Sequence, residues 1–452
     1  MAANLHRAPA RLTWIAVAFG CAACALAAKI GADARWLAAI GAQIVHARAI
    51  PAAVPYAAAP SHGWHDAPAL GQLVFHGLEA LLGDRGLVLA QVVAVAAALL
   101  AIAVDMRNAQ TRDSARAAVL LALLFAAPAA LLVVRAQLFS LALFPLLVLL
   151  LRSETRKPSR RVWLTVPLIG LWANLHGGVL VGLAVAGVYL VVHRLRHDRA
   201  AAVSILAASA VAVLATPALF HTAGYYAGVL RGEAAARHYG LWAPLSLHEP
   251  LDLVFLVVAV PLLVAALRAR PAAWELLMLA LLAVMAVEAR RNEVWLVFFA
   301  ATPAARGLTG ARADVSALPR RLALVCGCVP VLMLGLAFAG TSASSGAGRP
   351  LVQQAGAVAR GTPILADALN AEKLALSGDR IWIGNPLDAF ARPDQLLYLE
   401  WLRGDPAGDA ILSSRIQAAL VDLDTDTQRR LASDPAFREV GRDRHAALYL
   451  RR

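Results

Sequence analysis

Apolar runs long enough to cross a bilayer follow one another from the N-terminus to about Gly340, and the polar residues that interrupt them gather largely on one side. About 20 consecutive apolar residues span the hydrocarbon core. A chain patterned in this way must bury its helices in lipid and against one another. A hydrophobic content of 60% and a mean hydropathy of +0.64 exclude an ordinary soluble domain. Charged residues make up only 16%, which leaves room for one small water-facing domain beside a helical bundle.

The net charge of +13 does not point to nucleic acid, because the arginines fall mainly in short interhelical loops, where they set membrane orientation. Cys21, Cys24, Cys326 and Cys328 lie inside apolar runs, so neither a disulfide framework nor a soluble zinc site is indicated. Arg7 and Arg11 precede the first apolar stretch, which is long for a signal peptide and reads as an uncleaved signal anchor.

About eleven spans are predicted, over residues 12–28, 87–104, 117–134, 138–151, 162–173, 179–192, 201–219, 251–267, 273–287, 294–305 and 322–339. Several are short for a crossing, which implies tilted or broken segments around a cavity. Arginine clusters near 107–116, 152–161, 194–199, 268–270 and 306–321 assign those loops and the N-terminus to the cytoplasmic side. Residues 35–86, the Arg135 turn, 174–178, 220–250, 288–293 and the tail then face outward. The predicted division is a membrane domain over 1–340, a Gly/Ser-rich linker over 341–362 and a small α/β domain over 363–452. In that tail "PILAD", "RIWIG", "AALVDLD" and "AALYLR" read as strands, with helices near 393–403 and 426–432.

Three outer clusters carry chemistry. The first contains "SHGWHDAPALGQLVFHGLEALLGDRG": apolar residues recur at helical spacing over 68–82, describing an amphipathic surface helix, and Asp66 stands at its start beside Trp64 and His65. Asp66 reads either as a helix cap or as a functional carboxylate. The second, "WANLHGG", places Trp172, Asn174 and His176 at a break between half-spans; Asn174 alone suits a polar turn, whereas a histidine at that depth usually lines a cavity. The third, "VEARRNEVW", offers Arg290 and Arg291 as phosphate-holding cations or as an internal ion pair with Glu288 or Glu293. Arg135, alone on the side where positive charge is disfavoured, is a further phosphate candidate. Trp64, Trp172 and Trp242 could stack on sugars or anchor at the interface.

The order of "WHDAPALGQLVFHGLEALLGDRGLVL", "RAQLFSLALFPLLVLLL", "LWANLHGGVLVGL", "ATPALF", "LWAPLS" and "EARRNEVWLVFFAATPAA" resembles the polytopic bacterial glycosyltransferases of the GT-C class, in particular RgtA/B/C/D-like and dolichyl-phosphate-mannose-transferase-like membrane proteins. The resemblance covers about the first 310 residues. It implies a bundle of transmembrane helices in the bacterial inner membrane and a sugar taken from a polyprenyl-phosphate donor on the periplasmic face. The acceptor would be a lipid-linked or envelope glycan, and Asp66 the catalytic base. Donor phosphate would be held by Arg290, Arg291 and Arg135, with Trp64, His65, Asn174, His176, Trp172 and Trp242 around the substrates. No cofactor is specified, and a divalent cation stays an open requirement. The chain departs from the pattern at Pro68 and Ala69, where relatives often carry an acidic residue and a tryptophan. A non-catalytic relative acting as a lipid-linked glycan transporter or assembly factor, and a glycan polymerase, are the alternatives.

Overall fold

The computed structural model describes residues 11–61, 63–309, 349–412 and 416–452. The span expected over 322–339, with Cys326 and Cys328, and the first part of the expected linker lie outside the described residues. The chain forms two compact units. One is assembled from Met1–Lys29, Val88–Ala215 and Leu241–Gly340, the other from Ile30–Leu87, Thr216–Gly240 and Thr341–Arg452.

The first unit is helical. Among the described residues, Asp84–Asn108, Leu138–Arg156, Val179–Arg196 and Pro250–Arg268 are long and apolar enough to cross a membrane, and Arg11–Ala27 and Arg199–Val213 are shorter apolar helices. The chain is thus a helical membrane protein. Further helices, Asp113–Ala126, Thr165–Leu175, Ala273–Glu288 and Glu293–Thr309, coincide with the remaining apolar runs of this unit. The run predicted as one span over 117–134 breaks at Ala127, where Pro128 cannot supply a backbone N–H and starts a separate short helix.

Polar residues tie this unit together from inside. Asp113 accepts the backbone N–H of Leu12 at 2.9 Å and of Thr13 at 3.1 Å, so one helix satisfies the open N-terminus of another. Arg152, expected in a loop, is buried instead. Its Nε donates to Glu275 at 2.7 Å, one Nη to Asp105 at 3.0 Å and the other to the Phe299 carbonyl at 2.8 Å. Thr302 adds a 2.8 Å hydrogen bond to the same Asp105 oxygen. Such a network holds only because every member is paired, since removing one partner would strand a buried charge.

The second unit contains the tail and also most of the first outer segment. A four-stranded sheet is built from β1 (Ile364–Ala366), β2 (Ala418–Asp422), β3 (Phe437–Arg442) and β4 (Ala446–Arg451) in the order β1-β2-β4-β3, with β1 and β2 parallel and the other pairs antiparallel. Three of the four expected strands form. "RIWIG" contributes only single bridges at Ile381, because that residue pairs at once with Ile364 and with Ala57 of the first outer segment. The strand Phe437–Arg442 was not foreseen: its charged residues face outward and hide the alternation. A helix, Arg349–Ala359, occupies much of the stretch expected as linker.

The core of the tail is continuous with the first outer segment. Trp36, Ile40, Ile44, Val54 and Trp64 from the first outer segment pack in one apolar cluster with Ile364, Leu365, Ile381, Ile383 and Leu448. The helices Ala34–Ala47 and Ala69–Leu82 belong to this unit, the second matching the expected surface helix. Glu372 accepts the backbone N–H of Asp33, so a tail carboxyl caps the entry to the helix Ala34–Ala47.

Candidate functional site

In the second unit, the motifs around Asp66 and "ATPALF" converge. A cavity of about 330 Å³ is lined by Ile50, Pro51, Ala52, Gly63, Trp64, His65, Asp66, Pro217 and Ala218. Asp66 is only 2% exposed. Its Oδ1 accepts a 2.8 Å hydrogen bond from Gln72 Nε2, whereas Oδ2 is buried and receives none among the described residues. The helix Ala69–Leu82 begins after Pro68 with no side-chain cap, so Asp66 does not act as the helix cap that its position allowed. Burial pushes its carboxyl up to about 7, with the Gln72 hydrogen bond offsetting part of the shift. A carboxyl balanced between its two protonation states near neutral pH, in a residue that lines a cavity and with one oxygen unpartnered among the described residues, can accept a proton from a hydroxyl.

His65 is exposed and stacks on His221, ring centroids 3.9 Å apart and 12° from parallel. Trp64 is buried, with its indole N–H unpaired among the described residues. Gln72 and His221 are the residues here that sequence reasoning missed. Gln72 lies six positions after Asp66 on the polar side of an amphipathic helix, a spacing that could have marked it.

In the first unit the other expected residues separate into two groups. Arg290 is held by carboxylates: its Nε lies 3.0 Å from Asp252 Oδ2, without hydrogen-bond alignment, and an Nη lies 3.7 Å from Glu249. It fits the ion-pair reading, with Asp252 and Glu249 as partners in place of Glu288 or Glu293. The Arg291 guanidinium carbon sits 4.1 Å from the centroid of the Trp242 ring, a cation–π contact. The Trp242 stretch is fixed beside it by Arg290 N–H bonding to the Ala243 carbonyl and Leu245 N–H to the Val287 carbonyl, both at 3.0 Å. Gln137 donates to the Arg291 carbonyl at 3.4 Å, bringing the Arg135 turn to the same place.

His176 completes this cluster. Burial, then Arg291, then Arg135 hold its imidazole well below the ordinary range, so it is neutral between two arginines. Trp172 is fully buried and offers no face to a sugar; its indole Nε1 instead donates to Ser140 at 2.7 Å. Asn174 is likewise occupied, its amide donating to the carbonyls of Gly170 at 2.9 Å and Ala215 at 2.7 Å. It serves as a turn brace rather than a free binding group. Ser140, invisible within an apolar run, is the residue of this cluster that the sequence did not disclose.

No protein-family model matches the chain, and no curated relative matches it. Solved structures do. ArnT from Cupriavidus metallidurans bound to undecaprenyl phosphate aligns over 96% of this chain and 97% of its own, with a TM-score of 0.50 and 16% identity. The same protein in its apo state gives a TM-score of 0.52 at 16% identity, over 96% of this chain and 95% of that one. The arabinofuranosyltransferase AftD from Mycobacteria aligns over 97% of this chain and 41% of its own, with a TM-score of 0.51 and 14% identity. Nearly the whole of this chain therefore shares its fold with ArnT and with the arabinofuranosyltransferase AftD.

Proposed function

We propose that this protein is an inverting glycosyltransferase of the bacterial inner membrane that moves a sugar from a polyprenyl-phosphate donor to a lipid-linked or envelope glycan acceptor on the periplasmic face. Asp66 is the catalytic base, and Arg291 with Arg135 holds the donor phosphate. His65 and Trp64 border the cavity that receives a hydroxyl-bearing substrate. Arg290 is set aside as a phosphate ligand, because Asp252 and Glu249 already neutralise it. About eleven crossings, a cytoplasmic N-terminus and a periplasmic tail complete the reading, following the loop charges.

The observation that carries it is the buried Asp66, a cavity-lining residue whose Oδ2 has no hydrogen-bond partner among the described residues. Sugar transfer from a lipid phosphate needs a base for the acceptor hydroxyl and cations for the departing phosphate. The fold is that of proteins performing glycosyl transfer in membranes, one of them solved with undecaprenyl phosphate bound. The test is genetic and chemical together: a deletion strain should accumulate a lipid-linked sugar detectable by mass spectrometry, and Asp66→Asn should fail to clear it while wild type does. Clearance by Asp66→Asn would remove the enzymatic reading in favour of a transporter or assembly factor.

A further inference from the structure

The contacts of His176 specify which of its ring nitrogens carries the proton. Trp172 Nε1, a donor only, gives its hydrogen to Ser140 Oγ at 2.7 Å. Ser140 Oγ in turn lies 2.6 Å from His176 Nδ1, and the Gly178 backbone N–H donates to the same Nδ1 at 3.1 Å. An Nδ1 that carried a proton would face the Gly178 N–H head on. The network is satisfied when the Ser140 hydroxyl donates to Nδ1, which leaves Nε2 as the protonated atom. Among the described residues, no side chain hydrogen-bonds Nε2.

The backbone is shaped for this relay. A Cβ on Gly178 would stand 2.5 Å from Ser140 Oγ and 2.9 Å from His176 Nδ1, and one on Gly182 would stand 2.4 Å from the Trp172 ring. All three distances are shorter than contact permits, so the two glycines let the hairpin close on the serine and the indole. Ser140 and Trp172 are themselves fully buried. The charged groups felt by the ring are Arg135 and Arg291, both cations, which further disfavour an imidazolium.

We propose that the Trp172–Ser140 relay locks His176 as the Nε2–H tautomer so that it gives an uncharged hydrogen bond to the phosphate held by Arg135 and Arg291. The proposal rests on the phosphate-binding reading of those arginines and adds to it a third, neutral donor with a fixed direction. A neutral donor orients one phosphate oxygen without adding a third positive charge, which would retain the phosphate monoester left after transfer.

The test uses the full-length protein in lipid nanodiscs with undecaprenyl phosphate as probe, comparing His176→Gln, His176→Asn and Arg135→Ala/Arg291→Ala. A glutamine amide nitrogen reaches the place of Nε2, whereas an asparagine reaches only that of Nδ1. We expect His176→Gln to bind within about threefold of wild type and His176→Asn to bind at least about tenfold more weakly, the scale of one lost hydrogen bond to a charged group. Nitrogen-15 spectra of histidine-labelled protein, assigned by the signal missing from His176→Gln, should show Nδ1 unprotonated from pH 6 to 8. Equal binding by the Asn and Gln variants, or a protonated Nδ1, would overturn the proposal while weakened binding in the double arginine variant kept the phosphate site. Unchanged binding in the double arginine variant would overturn both.

Discussion

Replacing Asp66 by Asn separates chemistry from packing. The amide has nearly the shape of the carboxyl, and its oxygen can still accept the 2.8 Å hydrogen bond from Gln72. What disappears is the ability to take a proton. Loss of a general base should lower sugar transfer by at least about a hundredfold. In wild type, a carboxyl raised to about 7 must be ionised to act, so the transfer rate should climb with pH through about 7. The same shift has a stability sign. Below the unfolded value of 3.8 the carboxyl is protonated in both states and costs nothing; as pH rises toward about 7 the unfolded chain ionises while the folded one resists, and stability falls. At about 1.4 kcal/mol per pKa unit the full cost is on the order of 4 kcal/mol, a ceiling that local relaxation reduces. Asp66→Asn escapes this cost, so its thermal unfolding should come at the same temperature as wild type or higher at pH 8, and the difference should shrink toward pH 4. The assay pairs unfolding across that pH range with transfer of a labelled sugar from a polyprenyl-phosphate donor. A variant that transfers at the wild-type rate, or one that unfolds earlier at pH 8, would refute the reasoning; the second outcome would make the carboxylate a structural acceptor.

Glu372 is raised to about 8 by burial and then by Asp33, so by the same sign it costs nothing below about 4.5 and lowers stability as pH climbs from there toward about 8; Glu372→Gln should flatten the fall in melting temperature between about pH 5 and 8. Arg290→Ala should destabilise the protein by about 3–5 kcal/mol by stranding the buried Asp252, and Arg290→Ala/Asp252→Asn should recover much of it in a denaturation series, whereas Arg291→Ala should weaken undecaprenyl phosphate binding. Trp36→Ala should cost about 3–5 kcal/mol and raise protease cleavage in both the first outer segment and the tail, because the indole sits in a core they share; cleavage confined to one of them would contradict that shared core. Gly178→Ala should weaken undecaprenyl phosphate binding as His176→Asn does, by driving a methyl group into Ser140 Oγ.

The parts of this molecule legible in the sequence are those governed by local pattern. Leu138–Arg156 and Pro250–Arg268 announce themselves through continuous apolar residues, and Ala69–Leu82 through helical spacing of its leucines, because each pattern reports a face turned toward lipid or core. Asp66 stands out in the sequence for the opposite reason, as a charge where an apolar surface begins. The ion partner of Arg290 does not, because Asp252 is brought to it from another helix. The shared core was hidden as well. Ile381 pairs with Ala57 across most of the chain length, and nothing in "RIWIG" distinguishes a strand of the tail from a bridge to the first outer segment.

The His176 cluster marks where a finer reading of sequence could have reached further. A serine inside "RAQLFSLALF" looks like a tolerated small residue, and its role emerges only when Trp172 and His176 close on it. The glycines carry more information. Gly177 and Gly178 suffice for a turn, but Gly182 lies one helical turn beyond it, inside a helix where glycine costs about 1 kcal/mol relative to alanine. At Gly182 the Trp172 ring presses against the backbone, whereas Gly187 of the same helix meets only Leu206 at 3.8 Å and Gly77 of another helix meets nothing within 4 Å. The glycine pattern narrows the search to a few helix positions, and the fold picks out the one that makes room for the indole.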